Sequence, residues 1–365
     1  MGAMNDLLGP EAVEGLRVAL GQGSLRSGWS ALGAAEAKLE PLSLRARCDL
    51  LAAALLSDLD VGYGQAADVI RTALNDESFT GWMIWPVSEA AVTLALQDGT
   101  TRAFDDALTL LFELTPRLTG EFAIRRLLLQ DLDRALAQMQ DWTRHPDEQV
   151  RRLASEGPRP YLPWAVRVPD IIARPEATLP LLDALHTDSS QLVRRSVANH
   201  LNDIARHDPE TVVALAGKWL GEPGDGTPWV VRHGLRTLVK KAHPGALALL
   251  GFTPNAVSVS VPELDQAQVQ LPGEIAFTVA VRNDSLHPAR LAVDYMVHYV
   301  KANGTLAPKV FKLAVAELEP GETRRFGKAH ALRPMTTRVH YAGRHLLQVQ
   351  VNGQLSAAAE FDVVI

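Results

Sequence analysis

The sequence predicts a multidomain chain, an all-α repeat solenoid followed by an all-β sandwich, and three observations carry that prediction. Apolar residues recur at three- and four-residue spacing up to about residue 252, then at two-residue spacing after Pro254. A Val-Arg-Arg motif is echoed within the helical part. Short turn signals punctuate everything that follows.

The helical part, residues 1–252, shows its period in runs such as Leu50-Leu51-Ala52-Ala53-Ala54-Leu55-Leu56 and Ala107-Leu108-Thr109-Leu110-Leu111. Prolines fall between such runs, where they start or stop helices. Val150-Arg151-Arg152 is echoed by Val193-Arg194-Arg195 and, more weakly, by Val231-Arg232-His233, at offsets of 43 and 38 residues. That is the period of a HEAT-like helix pair, whose stacked repeats expose a concave row of second helices. A weaker earlier member begins at Ile124-Arg125-Arg126.

Residues 255–365 read as an immunoglobulin-like β-sandwich of about seven strands. Alternation is clear in Val257-Ser258-Val259-Ser260-Val261, Phe277-Thr278-Val279-Ala280-Val281 and Leu347-Gln348-Val349-Gln350-Val351. Turn signals stand at Leu271-Pro272-Gly273, Ala302-Asn303-Gly304, Glu319-Pro320-Gly321 and Val351-Asn352-Gly353. The 7 tryptophans all precede this region, so strand count and alternation alone carry the sandwich.

Composition narrows the class. At 365 residues and 47% hydrophobic, the chain has material for two cores, and no apolar run is long enough to span a membrane. The opening residues do not read as a secretory signal. Cys48 is the only cysteine, which excludes an internal disulfide or a multi-cysteine zinc site and fits a cytoplasmic protein. The net charge of −6 is concentrated early: residues 1–140 carry 11 Lys/Arg against 19 Asp/Glu, residues 141–254 carry 14 against 13, and residues 255–365 carry 11 against 10. What matters for a polyanion is whether the positive side chains share a face.

Helical geometry places them. Residues four apart share a face, so Arg152 sits with Glu156. Arg195, Asn199 and Asp203 form a row in the next repeat, and Arg232, Arg236 and Lys240 a row in the third. Such rows are either solvated faces and stacking ion pairs, or a curved strip matching a phosphate backbone. Glu156 and Asp203 are unwelcome beside DNA. Either each orients an arginine, Glu156 with Arg152 and Asp203 with Arg206, or they stabilise a sugar that turns cationic. Trp164, in the proline-stiffened Pro160-Tyr161-Leu162-Pro163-Trp164, is either a core anchor or a face for a cation.

The stretch Arg151-Arg152-Leu153-Ala154-Ser155-Glu156-Gly157-Pro158-Arg159-Pro160-Tyr161-Leu162-Pro163-Trp164 resembles the HEAT-like alkylpurine DNA glycosylases. So does the stretch from Val193 to Ala205, containing His200-Leu201-Asn202-Asp203. The terminal sandwich, with Thr336-Thr337-Arg338 and Gly343-Arg344-His345, is similar to the extra domain of the AlkC branch. The resemblance implies excision of cationic alkylated bases, 3-methyladenine and 3-methylcytosine, from double-stranded DNA without drawing the base into a pocket. It further implies a monomer, working at the nucleoid with no cofactor or metal. Its acidic and aromatic positions fall on Glu156, Asp203 and Trp164, with Glu121 a further acidic position that capping or pairing with Arg125 explains equally well. The phosphate-holding set becomes Arg151, Arg152, Arg159, Arg194, Arg195, Asn199, Arg232, Arg236 and Lys240, with Arg338 and Arg344 from the sandwich.

Three other readings compete. A non-catalytic HEAT-repeat scaffold binding DNA or a protein would use the same arginines and leave Glu156, Asp203 and Trp164 dispensable. A glycosylase–lyase needs Lys240 or Lys241 as a Schiff-base amine, whereas a Lys-Lys pair usually ends a helix in solvent. His200 and His207 share a helical face, without the partners a metal site requires.

Overall fold

The computed structural model describes residues 4–23, 28–252, 256–333 and 339–365. By packing, the chain divides into two compact units: the chain up to Asp208 with Trp219–Gly234, and Pro209–Lys218 with Leu235 onward.

The first unit is helical. Its elements are α1 (Pro10–Gly21), α2 (Ser30–Glu36), α3 (Leu44–Leu59), α4 (Tyr63–Ala73), α5 (Ile84–Asp98), α6 (Thr101–Leu114) and α7 (Ile124–Gln130). Then follow α8 (Leu132–Trp142), α9 (Glu148–Glu156), α10 (Pro169–Ala173), α11 (Leu179–Leu185), α12 (Gln191–Ile204), the end of α13 (Pro209–Gly221) and α14 (Thr227–Gly234). Local chemistry sets where they begin. Asp147 accepts from the Gln149 amide (2.7 Å) to cap α9, Ser190 caps α12 through the Leu192 amide (3.2 Å), and Thr100 and Asp131 do the same for α6 and α8. Helices pack in series, α3 on α5, α5 on α7, and α12 on both α9 and α14. Val150, Val193 and Val231, the first residue of each echoed motif, are all fully buried, which is why the motif repeats.

The third echo ends differently from the sequence expectation. A turn at Leu235 separates α14 from α15 (Arg236–Lys240), and the compact units divide at the same place. Arg232, Arg236 and Lys240 therefore do not form one continuous helical row. Gly234 stands just before the break, where a Cβ would lie 2.7 Å from Leu201 Cδ2. Glycine permits α14 to lie tight on α12, and it is also a poor residue for continuing a helix.

In the second unit α15 and α16 (Pro244–Leu249) precede a β-sandwich. Leu247, Phe252 and Ala292 form a small cluster, and the Arg290 guanidinium lies over the Phe252 ring at 5.0 Å. The strands are β1 (Val257–Val259), β2 (Glu263–Leu264), β3 (Gln268–Gln270), β4 (Gly273–Asn283), β5 (Ala289–Val300) and β6 (Leu306–Leu318). They continue with β7 (Thr323–Leu332), β8 (Gly343–Val351), β9 (Gln354–Leu355) and β10 (Ala359–Val364). One sheet runs β1-β4-β2 with β7 on β4, the other β3-β10-β8-β5-β6 with β9 on β8. More strands form than alternation predicts, because segments as short as β2 and β9 still pair. Ile275, Phe277, Val279 and Val281 of β4 face Leu291, Val293, Leu347 and Val349 in one core. Asn352 (φ 46°) and Gly353 (φ 92°) make the tight β8–β9 turn that the Asn-Gly pair signals. The expected domain boundary at Pro254 and Asn255 falls outside the described residues.

Candidate active site

Helices α9 and α12 meet through small and neutral polar groups. Ser155 Oγ donates to Ser196 Oγ at 2.6 Å. His200 is fully buried, with Nδ1 2.8 Å from the Ser155 carbonyl and Nε2 3.1 Å from the Thr178 hydroxyl. A carbonyl only accepts, so Nδ1 carries the proton and Nε2 receives the hydroxyl's. Burial pushes the imidazole down to about 3 and keeps it neutral. Its shared face with His207 is therefore no metal site: both His200 nitrogens are engaged within the core.

On this foundation stands an alternating chain of charges. Glu156 ends α9, and Gly157 turns the backbone where a Cβ would lie 3.0 Å from Ile124 Cγ2. Arg159 then folds back, its Nη1 donating to Glu156 Oε1 (2.5 Å) and its Nε to Asp203 Oδ2 (3.0 Å). On the other side Arg152 Nη1 lies 2.6 Å from Glu121 Oε2 and Nη2 3.8 Å from Glu156 Oε1. The order is thus Glu121, Arg152, Glu156, Arg159, Asp203. Asp203 is 2% exposed and Glu156 6%. Burial by itself lowers the Arg159 pKa, but Glu156 and Asp203 together outweigh it and hold the guanidinium above its ordinary value.

The loop after Glu156 is fixed from beneath by Arg125, a side chain with no exposed surface. Its Nε donates to the Val166 carbonyl (2.5 Å), and Nη1 donates to those of Gly157 (2.7 Å) and Arg159 (2.8 Å). Nη2 has no partner among the described residues. Burial, then the nearby Arg167 and Arg159, push this guanidinium down to about 10, so it stays charged at neutral pH. Trp164 sits on the clamped loop with a left-handed backbone (φ 60°) and is 55% exposed. A bulky residue with positive φ is uncommon and carries a cost that surrounding structure must offset. The core-anchor alternative for Trp164 is excluded by its exposure.

Several expected roles change. Arg159 belongs to the carboxylates, buried between them, and is not available to a phosphate. Asp203 pairs with Arg159 where Arg206 was the expected partner, and Glu121 pairs with Arg152 where Arg125 was. Arg151 bonds Asp188 (2.6 and 3.0 Å) and the carbonyls of His145 and Pro146. Arg194 donates to the carbonyls of Asp188 and Ser189. Those first arginines of each echoed pair stitch the loops between helices, so stacking accounts for them. Arg195, the second arginine of its pair, is exposed and forms no ion pair with a described residue, and Arg232, at the first-arginine position of the weaker echo, is exposed as well. Asn199 meets His233 (3.3 Å), whose ring stacks on Trp229. In the second unit Arg344 pairs with Glu360 (3.2 Å) and Asp362 (3.6 Å) across β8 and β10, Lys240 is exposed, and Arg236 is partly buried. Arg338 lies outside the described residues.

Arg125 was missed as a site residue. Its only signal is membership of the weak Ile124-Arg125-Arg126 echo, and the carbonyls it holds have no sequence signature.

Comparison with known proteins agrees with this architecture. Residues 110–238 match the family model described as DNA alkylation repair enzyme, and residues 258–365 match that of the YhaZ C-terminal Ig-like domain. The uncharacterized protein YhaZ of Bacillus subtilis (strain 168) is 33% identical over 325 residues, covering 88% of each chain. The alkylpurine DNA glycosylase AlkC of Pseudomonas fluorescens, solved bound to DNA containing an abasic site analog, is similar over 100% of both chains, with 33% identity and a TM-score of 0.89. Helical repeats that match the alkylation-repair model, with an Ig-like sandwich after them, give the chain an alkylation-repair glycosylase fold. The chain belongs to the HEAT-like alkylpurine DNA glycosylase family, in the AlkC-type branch with a C-terminal immunoglobulin-like domain. Among the described residues no helix is long and apolar enough to cross a membrane.

Proposed function

We propose that this protein acts as a monomer that hydrolyses the N-glycosidic bond of cationic alkylated bases, 3-methyladenine and 3-methylcytosine, in duplex DNA. Nothing in the proposed reaction requires a metal, a lyase lysine or extrusion of the base into a pocket. The observation that carries the reading is the buried pair Glu156 and Asp203, held on either side of Arg159.

N3-alkylation already leaves positive charge on the base. When the C1′–N bond breaks, its electron pair returns to the base, which departs neutral and needs no proton from the protein. The sugar is left as an oxocarbenium-like cation. Glu156 and Asp203 stabilise it as fixed negative charge in a partly dehydrated place, where such charge acts more strongly than in water. Water then attacks C1′, and one of the two carboxylates takes its proton. Glu121 steadies Arg152 in the same chain of charges. Trp164 presents its ring to the nucleotide at the lesion, while Arg152, Arg195 and Arg232 hold flanking phosphates. Residues 1–252 supply binding and catalysis, and residues 255–365 add DNA affinity, with Arg344 among the contributing cations. That the Pseudomonas fluorescens relative was solved with an abasic site analog, the kind of product this reaction leaves, supports the reading.

The test is release of free base from duplexes carrying 3-methyladenine or, separately, uracil. The expected result is release of 3-methyladenine only, because uracil would leave as an anion that no residue here protonates. Absence of 3-methyladenine release contradicts the reading, and equal release of both contradicts the leaving-group argument.

A further inference from the structure

Beside the carboxylates lies a second cluster, at the base of the Trp164 loop, that the chemistry above does not use. Tyr161 is flanked by two guanidiniums, those of Arg167 and Arg206, each with its central carbon 4.5 Å from the ring centroid. His207 stacks on the same ring, centroids 5.5 Å apart and planes within 15°, and its Nε2 contacts the Tyr161 hydroxyl. Arg167 is tied to the loop by a bond from Nη1 to the Pro160 carbonyl (3.0 Å). Arg167, Arg206 and His207 are all exposed, and among the described residues no carboxylate pairs with any of them.

We infer that Arg167, Arg206 and Tyr161 form a binding site for one phosphodiester of the DNA strand next to the lesion. The inference rests on the glycosylase reading for its ligand. Two like charges held on one phenol ring repel, and the arrangement lacks the anion that would offset them. Stabilisation of the C-terminal end of α12 explains Arg206 alone. It does not explain why Arg167, from the far end of the loop, converges on the same ring. Contact with the ring holds both guanidiniums in place, and apart from the Arg167 Nη1 bond to Pro160 their N–H groups remain to meet the monoanionic oxygens of a backbone phosphate. The position also fits: Tyr161 follows Arg159 by two residues, and Arg206 follows Asp203 by three. A phosphate seated here registers the strand against the two carboxylates.

The experiment is equilibrium binding of a duplex with an abasic-site analogue across a salt series, together with single-turnover release of 3-methyladenine. In Arg206→Gln and Arg167→Gln the slope of log Kd against log salt flattens by about 0.9 each, and affinity at about 0.1 M salt weakens about eightfold. Arg206→Lys keeps the charge and therefore the slope. Arg134→Gln, a distant arginine paired with Asp105, leaves binding unchanged. An unmoved slope in both glutamine variants overturns the phosphate site while the glycosylase reading stands. Loss of slope in Arg206→Lys equal to that in Arg206→Gln overturns it too, since charge is then not what the DNA reads. If wild type releases no base yet the glutamine variants flatten the slope, the glycosylase reading falls and the phosphate site survives.

Discussion

Two of the buried acidic sites in the helical unit are built differently. On α5, Glu89 has Arg45 at 3.3 Å, Arg126 at 3.8 Å and the Trp85 indole Nε1 at 3.3 Å. Despite two arginines, burial dominates, and its carboxyl is held above the ordinary range. On α9 and α12, Glu156 and Asp203 instead share one buried guanidinium at 2.5 and 3.0 Å, and the pair keeps Arg159 firmly charged. A carboxyl that tends toward its neutral form suits packing. Carboxylates locked to a permanent cation, and extended outward by Arg152 and Glu121, suit a site that must meet positive charge.

The comparison is most exposed to failure at Arg159. In Arg159→Gln two nearly buried carboxylates lose their shared partner, so the variant should unfold about 3–5 kcal/mol more easily and release base at least about 100-fold more slowly. Denaturant titration and single-turnover kinetics read the two effects separately. A variant with native stability and rate would erase the distinction between the sites. Arg125→Met should act at one remove, by loosening the Gly157–Val166 loop: base release slows about tenfold while DNA affinity changes less, since no phosphate contact is removed. Equal losses in rate and affinity would mean general damage to the fold.

At the other site Glu89→Gln should leave base release unchanged. Because the folded-state pKa of Glu89 is raised, the native protein binds that proton more tightly than the unfolded chain, and wild type loses stability as pH rises through the carboxylate range. Thermal melts should therefore favour the glutamine variant progressively as pH rises above about 4.5. A constant difference with pH would show that burial does not govern this carboxyl. Another buried acid, Asp294 on β5 of the sandwich, sharpens the scale. Burial pushes it up to about 6 from an ordinary 3.8, so wild type should lose stability relative to Asp294→Asn between about pH 4 and 6, with no further change above. Base release should not follow that transition.

Much of this was legible in the sequence, for identifiable reasons. The Val-Arg-Arg echo records a buried valine that every repeat needs, so the repeat is visible wherever packing repeats. Which arginine of the pair faces outward is not visible, because adjacent helical positions differ by about 100° and either can be the solvent side. The structure turns Arg151 and Arg194 into stitches, draws Arg152 between Glu121 and Glu156, and leaves Arg195 exposed. Residue type and family resemblance single out Glu156, Asp203 and Trp164 as candidates, and the structure places Glu156 and Asp203 on one buried guanidinium. Arg159, the partner that Glu156 and Asp203 share, reads as a phosphate ligand in the sequence because it lies in a proline-rich loop, where no periodicity tells which way a side chain points. Arg125 acts on backbone carbonyls, which every residue possesses, so its role leaves no pattern. The break at Leu235 follows Gly234, whose close approach to Leu201 in another helix is a contact that spacing cannot reveal. In the sandwich the Asn-Gly turn at Asn352 was legible because its conformation demands those residues.

The most direct test of the central claim is the single-turnover rate of 3-methyladenine release by Asp203→Asn, with affinity for abasic-site DNA measured on the same preparation. Asparagine keeps the shape beside Arg159 and removes only the negative charge. The account predicts a rate lower by about 100-fold or more with affinity unchanged or slightly tighter, because a carboxylate beside DNA hinders binding while it helps the cationic sugar. A wild-type rate in that variant would contradict it.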